Sequence, residues 1–340
     1  MSSFPPARLH ALSGDHVPRL PPTGPVQLAV HELGDGARRS DGSQRPAVVF
    51  CHGFPELAYS WRHQLPAVAA AGFRAVAVDQ RGYGGSSCPD DPAAFSIDHL
   101  CGDLVDLLDA LEVDQAVFVG HDWGGFVAWA LPALFPQRCA GVVGVCTPYT
   151  PFPGTRYLRS LFEHDDDMYM LWFQQPDVPE QTMDPRAREV FEVMFRRAVD
   201  PAVLADLGAG REGRGMTFNP FRDLDGVPDV GEPLLDAHDL DLYAETFGRT
   251  GFGGGINWYR NFDANWAAHR DVGVVPLDLP CLMLAAEWDP ALPPALCDGM
   301  PDRLSDLEMH VVPRAGHWLQ QEAPEQVNNL LVDWLVRRFG

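Results

Sequence analysis

The sequence predicts an α/β protein in which a largely parallel sheet, covered by helices on both faces, is interrupted by a mostly helical insertion. Three observations support this prediction: short apolar runs recur along the chain, helical patterns separate them, and the alternation stops in the middle of the chain. Short apolar runs bounded by turn residues are typical of strands buried on both faces. Strands that alternate with helices favour a parallel sheet with helices on each side.

The predicted strands are β-branched or apolar runs near both ends of the chain. They are Val26–Val30, Ala47–Cys51, Ala75–Val78, Ala116–Val119, Val142–Cys146, Cys281–Ala285 and Met309–Val312. The clearest helix runs from Ile97 to Leu111, because leucines recur on one of its faces. These elements predict a sheet core made of residues 26–147 and 271–340.

The alternation of strands and helices stops after Cys146 and resumes at Pro280. In the interval, aromatic and Met residues alternate with acidic and Gly-rich stretches, and no convincing buried strand is present. We interpret residues 148–270 as a helical lid inserted into the core, with two tandem domains as the alternative. Residues 1–25 are Pro-rich and are interpreted as an N-terminal arm that is either laid on the surface or mobile, separate from the sheet core.

The composition disfavours several classes of partner. The 340 residues are 46% hydrophobic, enough for a large core, and 47 acidic against 25 basic residues give a net charge of −22. This charge disfavours nucleic acids and anionic membranes and favours an uncharged small molecule. The cysteines lack zinc-like spacing, so reduced thiols and no metal site are expected. No signal peptide and no apolar stretch of about 18 residues is found, so we expect a soluble, cytoplasmic protein.

The strongest candidate site follows the strand Ala116–Val119, where Gly120-His121-Asp122-Trp123-Gly124-Gly125 leads into an apolar helical pattern. Small residues around Asp122 allow a sharp strand–turn–helix bend that projects its side chain above the sheet. The better-known form of this bend carries Ser; a carboxylate there attacks carbon directly and forms an alkyl ester, which suits epoxides and alkyl halides. The alternative is that Asp122 only caps the following helix.

A second candidate element is His52-Gly53-Phe54-Pro55, directly after the strand Ala47–Cys51. A loop there can aim a backbone N–H at the site, so we expect the amides of Phe54 and Trp123 to form an oxyanion hole for ester hydrolysis. A simple turn is the alternative. The supporting residues of this loop are His52, Gly53 and Pro55.

The remaining catalytic candidates, Asp289 and His317, come after the last predicted strands. With Asp122 they stand in the order nucleophile, acid, base that this kind of bend requires. We expect Asp289 to orient the imidazole of His317, which removes a proton from water, with Glu287 as the alternative acid.

Short motifs spread over most of residues 26–338 carry a family resemblance. They are His52-Gly53-Phe54-Pro55-Glu56, Ser60-Trp61-Arg62, Asp79-Gln80-Arg81-Gly82-Tyr83-Gly84, Gly120-His121-Asp122-Trp123-Gly124-Gly125 and Gly316-His317-Trp318. On these motifs the chain resembles the epoxide hydrolases of the α/β-hydrolase superfamily, both the soluble vertebrate and plant enzymes and their bacterial relatives. The resemblance implies an α/β-hydrolase fold and the conversion of a small apolar epoxide and water to a vicinal diol, with no metal or organic cofactor. A homo-oligomer is compatible with it.

The resemblance extends to two tyrosines of the predicted lid. Tyr169 and Tyr259 match the family tyrosines that hold the epoxide oxygen. The resemblance implies that Asp122 attacks a ring carbon while both phenols stabilise the departing oxygen. Water activated by His317 and Asp289 then hydrolyses the ester. Without the resemblance, ordinary aromatic packing is the better interpretation of both tyrosines.

Two rival functions are kept. A haloalkane dehalogenase resembles this chain in its fold, its Asp nucleophile and the Trp that follows it, but holds a halide with N–H donors. In that family the position of Phe54 is commonly Asn and the tyrosine pair is absent, so Phe54, Tyr169 and Tyr259 favour an epoxide. The other rival is a non-catalytic protein of this fold that binds a small ligand, against which the complete set of catalytic candidates argues.

Overall fold

The computed structural model describes residues 4–16, 26–38, 42–161, 168–203 and 219–340. The strands in these residues are β1 Arg8–Ala11, β2 Gln27–Leu33, β3 Ala47–Cys51, β4 Ala75–Asp79, β5 Ala116–His121, β6 Cys139–Val145, β7 Leu277–Ala286 and β8 Leu304–Val312. Within the described ranges they form one eight-stranded sheet in the order β1-β2-β4-β3-β5-β6-β7-β8. β2 is antiparallel to both β1 and β4, and the neighbours from β4 to β8 are parallel. This confirms the largely parallel sheet predicted from the sequence.

Helices pack on both faces of the sheet, as predicted. Along β3, Val48 and Phe50 face one apolar layer, whereas Val49 and Cys51 face the other. Because successive side chains of a strand point to opposite faces, a strand covered on both sides reads as a continuous apolar run. The covering helices are Gln64–Ala70 and Pro324–Phe339 on one face, and Ile97–Ala110 and Trp123–Leu134 on the other.

Between β6 and β7 the described residues are mostly helical. The helices are Thr155–Leu161, Tyr169–Trp172, Val178–Met183, Ala187–Met194, Ala237–Thr250, Gly253–Arg260 and Phe262–Ala268. A bridge between Arg196 and Pro233 joins two extended segments of this insertion. Its buried side chains belong to the same apolar cluster as the helix Trp123–Leu134, so the insertion packs directly on the core. In the described part of the chain, no helix has the length and apolar character needed to cross a membrane.

The sheet differs from the sequence-based prediction at its edges. β1 pairs antiparallel with β2 but lies within residues 1–25, which were expected to be an arm outside the sheet. Its side chains are mostly exposed, so no apolar run marks it, and backbone pairing with β2 defines it. β7 and β8 begin at Leu277 and Leu304, earlier than predicted, because partly exposed residues follow each of these leucines.

The carboxyl ends of the parallel strands meet at one edge of the sheet. The loops after β3, β5, β7 and β8 lead to Phe54, Asp122, Asp289 and His317. The last loop continues into the short helix Leu319–Glu322. Ligands of open α/β sheets bind at this edge, because the loops after parallel strands converge there.

Candidate active site

Asp122 stands at the tip of a sharp bend between β5 and the helix Trp123–Leu134. Its φ is 50°, in the left-handed region that side chains disfavour. The bend requires a close approach, since a Cβ on Gly124 would lie 2.1 Å from the carbonyl oxygen of Cys51. The side chain of Asp122 makes no capping hydrogen bond to the following helix. The capping alternative is therefore wrong, and the carboxylate faces the neighbouring loops.

The structure brings Asp122, His317 and Asp289 together. His317 Nε2 lies 3.7 Å from Asp122 Oδ2, and His317 Nδ1 lies 2.9 Å from Asp289 Oδ2. The other oxygen of Asp289 accepts two backbone N–H groups of its own loop at 2.8 and 2.9 Å, which hold the carboxylate in place. Glu287 is exposed and accepts the backbone N–H of Arg314 instead. Asp289 is therefore the acid that contacts His317.

The loop after β3 directs a backbone N–H at the same carboxylate. Phe54 donates its N–H to Asp122 Oδ1 at 2.7 Å. Trp123 is the first residue of the helix, where backbone N–H groups have no partner within the helix. Its N–H has no acceptor elsewhere in the described ranges. Of the two amides expected in the oxyanion hole, one belongs to Phe54, which contacts Asp122, and the other belongs to Trp123, which follows Asp122 in the chain.

Hydrogen bonds inside this loop hold it in position. His52 Nε2 accepts the backbone N–H of Gln80 at 3.1 Å, so the ring proton is on Nδ1, which donates to the carbonyl oxygen of Gly53 at 2.9 Å. Burial lowers the pKa of His52, which favours this neutral ring. Gly53 donates its N–H to Glu56 Oε2 at 2.8 Å, and the Phe54–Pro55 peptide bond is cis. The predicted supporting residues therefore shape the loop that carries the Phe54 amide.

The pKa shifts at the site favour a protonated His317 between two ionised carboxylates. Burial by itself would lower the pKa of His317, but Asp289 and Asp122 raise it well above its usual value. Burial would raise the pKa of Asp122, but His317, and more weakly the Phe54 N–H, lower it. Burial also opposes ionisation of Asp289, yet His317 and two backbone N–H groups lower its pKa to about 2. Asp122 is thus ionised, as a carboxylate nucleophile must be.

Tyr169 and Tyr259 come together near Asp122. Their ring centroids are 5.9 Å apart, and the ring of Tyr259 lies 5.4 Å from that of Phe54 and 5.1 Å from that of Trp123. Burial raises the pKa of both phenols, and the negative charge of Asp122 raises it further. Both tyrosines therefore remain neutral hydroxyl donors, the state needed to stabilise a developing alkoxide.

Two buried residues to which the sequence assigned no role, His121 and Glu56, connect the loops that carry Phe54, Asp122 and His317. The ring of His121 has Nδ1 2.7 Å from Glu56 Oε2 and Nε2 2.7 Å from the backbone carbonyl oxygen of His317. Burial would raise the pKa of Glu56, but His121 lowers it. A carbonyl oxygen only accepts hydrogen bonds, so the ring of His121 donates from Nε2 to the backbone of the catalytic base candidate. Both residues stand inside motifs quoted above, but only the tertiary contacts show what they hold.

The clusters of potential metal ligands in the described residues are already committed to other partners. Ligand atoms of His121, Cys146 and His317 lie within 4.8 Å of one another. Both nitrogens of His121 already lie 2.7 Å from oxygen partners, and burial raises the pKa of the Cys146 thiol, which donates to the backbone carbonyl of His317 at 3.3 Å. A second cluster includes Asp109, which already pairs with Arg138 at 2.7 Å.

The fold and the bend at Asp122 are those of the α/β-hydrolase class, and the family described by the α/β-hydrolase fold matches residues 46–206. Epoxide hydrolase A of Mycobacterium tuberculosis is 39% identical over 324 residues, which cover 94% of this chain and 97% of that protein. The solved structure of epoxide hydrolase A from Mycobacterium thermoresistibile has a TM-score of 0.82 and 37% identity, covering 97% of this chain and 98% of that chain. This chain belongs to the epoxide hydrolase family, which confirms the resemblance seen in the sequence.

A larger relative shows the same core within a longer protein. Bifunctional epoxide hydrolase 2 of Sus scrofa is 36% identical over 318 residues, which cover 91% of this chain but 53% of that protein. The chain therefore corresponds to about half of this relative.

Proposed function

We propose that the protein hydrolyses epoxides to vicinal diols through a covalent ester on Asp122. The observation that carries this proposal is the placement of His317 Nε2 3.7 Å from Asp122 Oδ2, with Asp289 bound to the other ring nitrogen at 2.9 Å. The tyrosine pair beside the same nucleophile, its ring centroids 5.9 Å apart, favours an epoxide over other substrates of such a carboxylate.

In the first half-reaction, one oxygen of Asp122 attacks a ring carbon and forms a carbon–oxygen bond. The ring C–O bond breaks, and its electron pair stays on the epoxide oxygen, which takes a proton from the phenol of Tyr169 or Tyr259. The ester carries no charge, so His317 loses one of the carboxylates that raise its pKa and gives up its extra proton. The phenolate regains a proton from solvent. The proton that His317 releases to solvent replaces it, so the half-reaction balances.

In the second half-reaction, neutral His317 takes a proton from water, whose oxygen attacks the carbonyl carbon of the Asp122 ester. The oxyanion is stabilised by the backbone amides of Phe54 and Trp123. Collapse of this intermediate breaks the bond to the alkyl oxygen, which takes the proton of His317 and leaves as the diol. The acid form of Asp122 then gives its proton to His317. This restores the protonated His317 between the carboxylates of Asp122 and Asp289.

We further propose that residues 148–270 form the lid of this site and that its substrate is apolar. Phe54, which contacts the nucleophile through its amide, has its ring 5.4 Å from Phe173 and 5.6 Å from Phe221 of the insertion. Aromatic walls of this kind exclude water and favour an uncharged substrate. No step requires a metal or organic cofactor. The cysteines are all unpaired, which supports a reducing, cytoplasmic location.

The proposal is tested by measuring diol and halide release from a mixed panel of epoxides and haloalkanes, with wild type and Asp122→Asn. Diol formation that is lost in the variant supports the proposed reaction and its nucleophile. Halide release without diol would indicate a dehalogenase, and neither product from a folded protein would favour a binding role. A single turnover in water labelled with oxygen-18 tests the ester, because the label should enter Asp122 and not the diol.

A further inference from the structure

Glu322 lies between the loop of His317 and the insertion. It ends the short helix Leu319–Glu322, and only 9% of its surface is exposed. Its Oε2 accepts two backbone N–H groups, both at 3.1 Å, one from Gly316 and one from Ala198. Gly316 immediately precedes His317 in the chain, whereas Ala198 belongs to the insertion. One carboxylate oxygen therefore joins the backbone beside the catalytic base to the insertion.

The insertion also contacts Gly316 and Trp318, the two residues on either side of His317. A Cβ on Gly316 would lie 2.5 Å from the Cβ of Ala198, so the two backbones approach as closely as glycine allows. Trp318 donates its indole N–H to a backbone carbonyl of the segment 194–198 at 2.6 Å. Its ring also stacks on Phe195 at a centroid distance of 4.2 Å. The segment 194–198 is thus docked on the two residues that flank the catalytic histidine.

The hydrogen bonds from Gly316 and Ala198 to Oε2 are the main polar interactions that the carboxylate of Glu322 makes. Its other oxygen, Oε1, is buried and has no hydrogen-bond partner among the described residues. Burial raises the pKa of Glu322, against the effect of the two amides and of Arg197, which donates to the Glu322 backbone carbonyl at 2.9 Å. A buried carboxylate with an unused oxygen costs free energy. The position of this side chain therefore serves the contact made by Oε2 rather than packing alone.

We propose that Glu322 is a positioning residue for ester hydrolysis, because it ties the backbone beside His317 to the docked insertion at Ala198. This inference rests on the proposed function, in which His317 acts as a base only in the second half-reaction. Asp122 attacks the epoxide before a base is needed. A displaced His317 therefore slows hydrolysis of the ester and leaves its formation nearly unchanged, whereas a loss of general packing slows both.

The test compares the two half-reactions in wild type, Glu322→Ala and Glu322→Gln with styrene oxide as the probe. Rapid quenching followed by intact-protein mass spectrometry measures formation and decay of the alkylated enzyme separately. In Glu322→Ala we expect ester hydrolysis to slow about 10- to 100-fold, the scale for misplacing a reacting group by about 1 Å, and ester formation to change less than about 3-fold. Glu322→Gln keeps an oxygen acceptor in place and should restore hydrolysis to within about 5-fold of wild type.

The control is Glu325→Ala, which removes an exposed carboxylate from the next helix and should leave both rates unchanged. If Glu322→Ala does not fold, Glu322→Asp replaces it, since this variant keeps the charge but withdraws the oxygen by one methylene. Equal losses in both half-reactions, or hydrolysis that stays at the wild-type rate, would overturn the positioning role. Wild type that forms neither the ester nor the diol would instead overturn the proposed function, and this inference with it.

Discussion

Replacing Glu56 with alanine should destabilise the protein and loosen the loops that flank Asp122. Glu56 is fully buried. It accepts hydrogen bonds from the Gly53 N–H at 2.8 Å, from the ring of His121 at 2.7 Å, and from the side-chain amides of Gln320 and Gln321 at 2.9 and 3.1 Å. Alanine leaves all of these donors without an acceptor.

The expected loss is large because the interior cannot replace these partners. Leaving a buried donor unpaired costs about 1–3 kcal/mol, so with four donors affected and partial relaxation we expect a loss of about 3–5 kcal/mol in the free energy of unfolding. Unfolding entropy is about 2.1 cal/mol/K per residue, so in this 340-residue chain each kcal/mol lowers Tm by about 1.4 °C. We therefore expect the Tm of Glu56→Ala to fall by about 4–7 °C.

Differential scanning calorimetry of wild type, Glu56→Ala, Glu56→Gln and the exposed control Glu325→Ala measures this effect. Gln keeps one acceptor oxygen but turns N–H groups toward other donors, so its Tm should fall between those of wild type and Glu56→Ala. The control should shift by less than about 1 °C, as surface substitutions do. A Tm loss of less than about 2 °C in Glu56→Ala would refute the reasoning, because the four donors would then have found other acceptors.

Three further predictions concern the reaction itself. Tyr169→Phe and Tyr259→Phe should each slow ester formation by about 100-fold or more, because one donor to the departing oxygen is lost. Rapid-quench measurements that show a loss only in ester hydrolysis would contradict this role. His317→Gln should form the ester on Asp122 without releasing diol, so mass spectrometry should find the alkylated protein persisting, and multiple turnovers would show that another base acts. Asp289→Asn should move the acid limb of the kcat–pH profile to lower pH, because Asp289 raises the pKa of His317 and hydrolysis needs the neutral ring; an unmoved limb would count against this link. The pKa of Asp289 falls from its ordinary value of about 3.9 to about 2 on folding, so its stabilisation is present above pH 4 and is lost as the pH falls through 2. Wild type should accordingly lose more Tm than Asp289→Asn on acidification over that range.

The local sequence was sufficient for the features encoded within a few neighbouring residues. A strand buried on both faces needs an unbroken apolar run, so Val48 to Cys51 identify β3 without knowledge of its partners. The bend at Asp122 depends on small residues beside it, because a side chain at Gly124 would collide with the end of β3. The motifs around these positions also carried the family resemblance that the comparisons confirm.

Other features depend on contacts between distant parts of the chain and have no local signature. The side chains of β1 are mostly exposed, so no apolar run marks it as a strand. It is a strand because its backbone pairs with that of β2. Asp289 and Glu287 are near neighbours in the sequence, and only the position of His317 decides between them.

The links made by buried polar groups were decided by the tertiary structure alone. Glu56 meets His121 through a contact that spans two loops, and Glu322 meets Ala198 across the boundary between core and insertion. A polar side chain follows no hydrophobic period, so its sequence position does not show whether it lies at the surface or in the interior. The parallel strands bring these loops to one edge of the sheet. A buried donor or acceptor without a partner costs free energy there, so the fold in which each buried polar group has its partner is favoured.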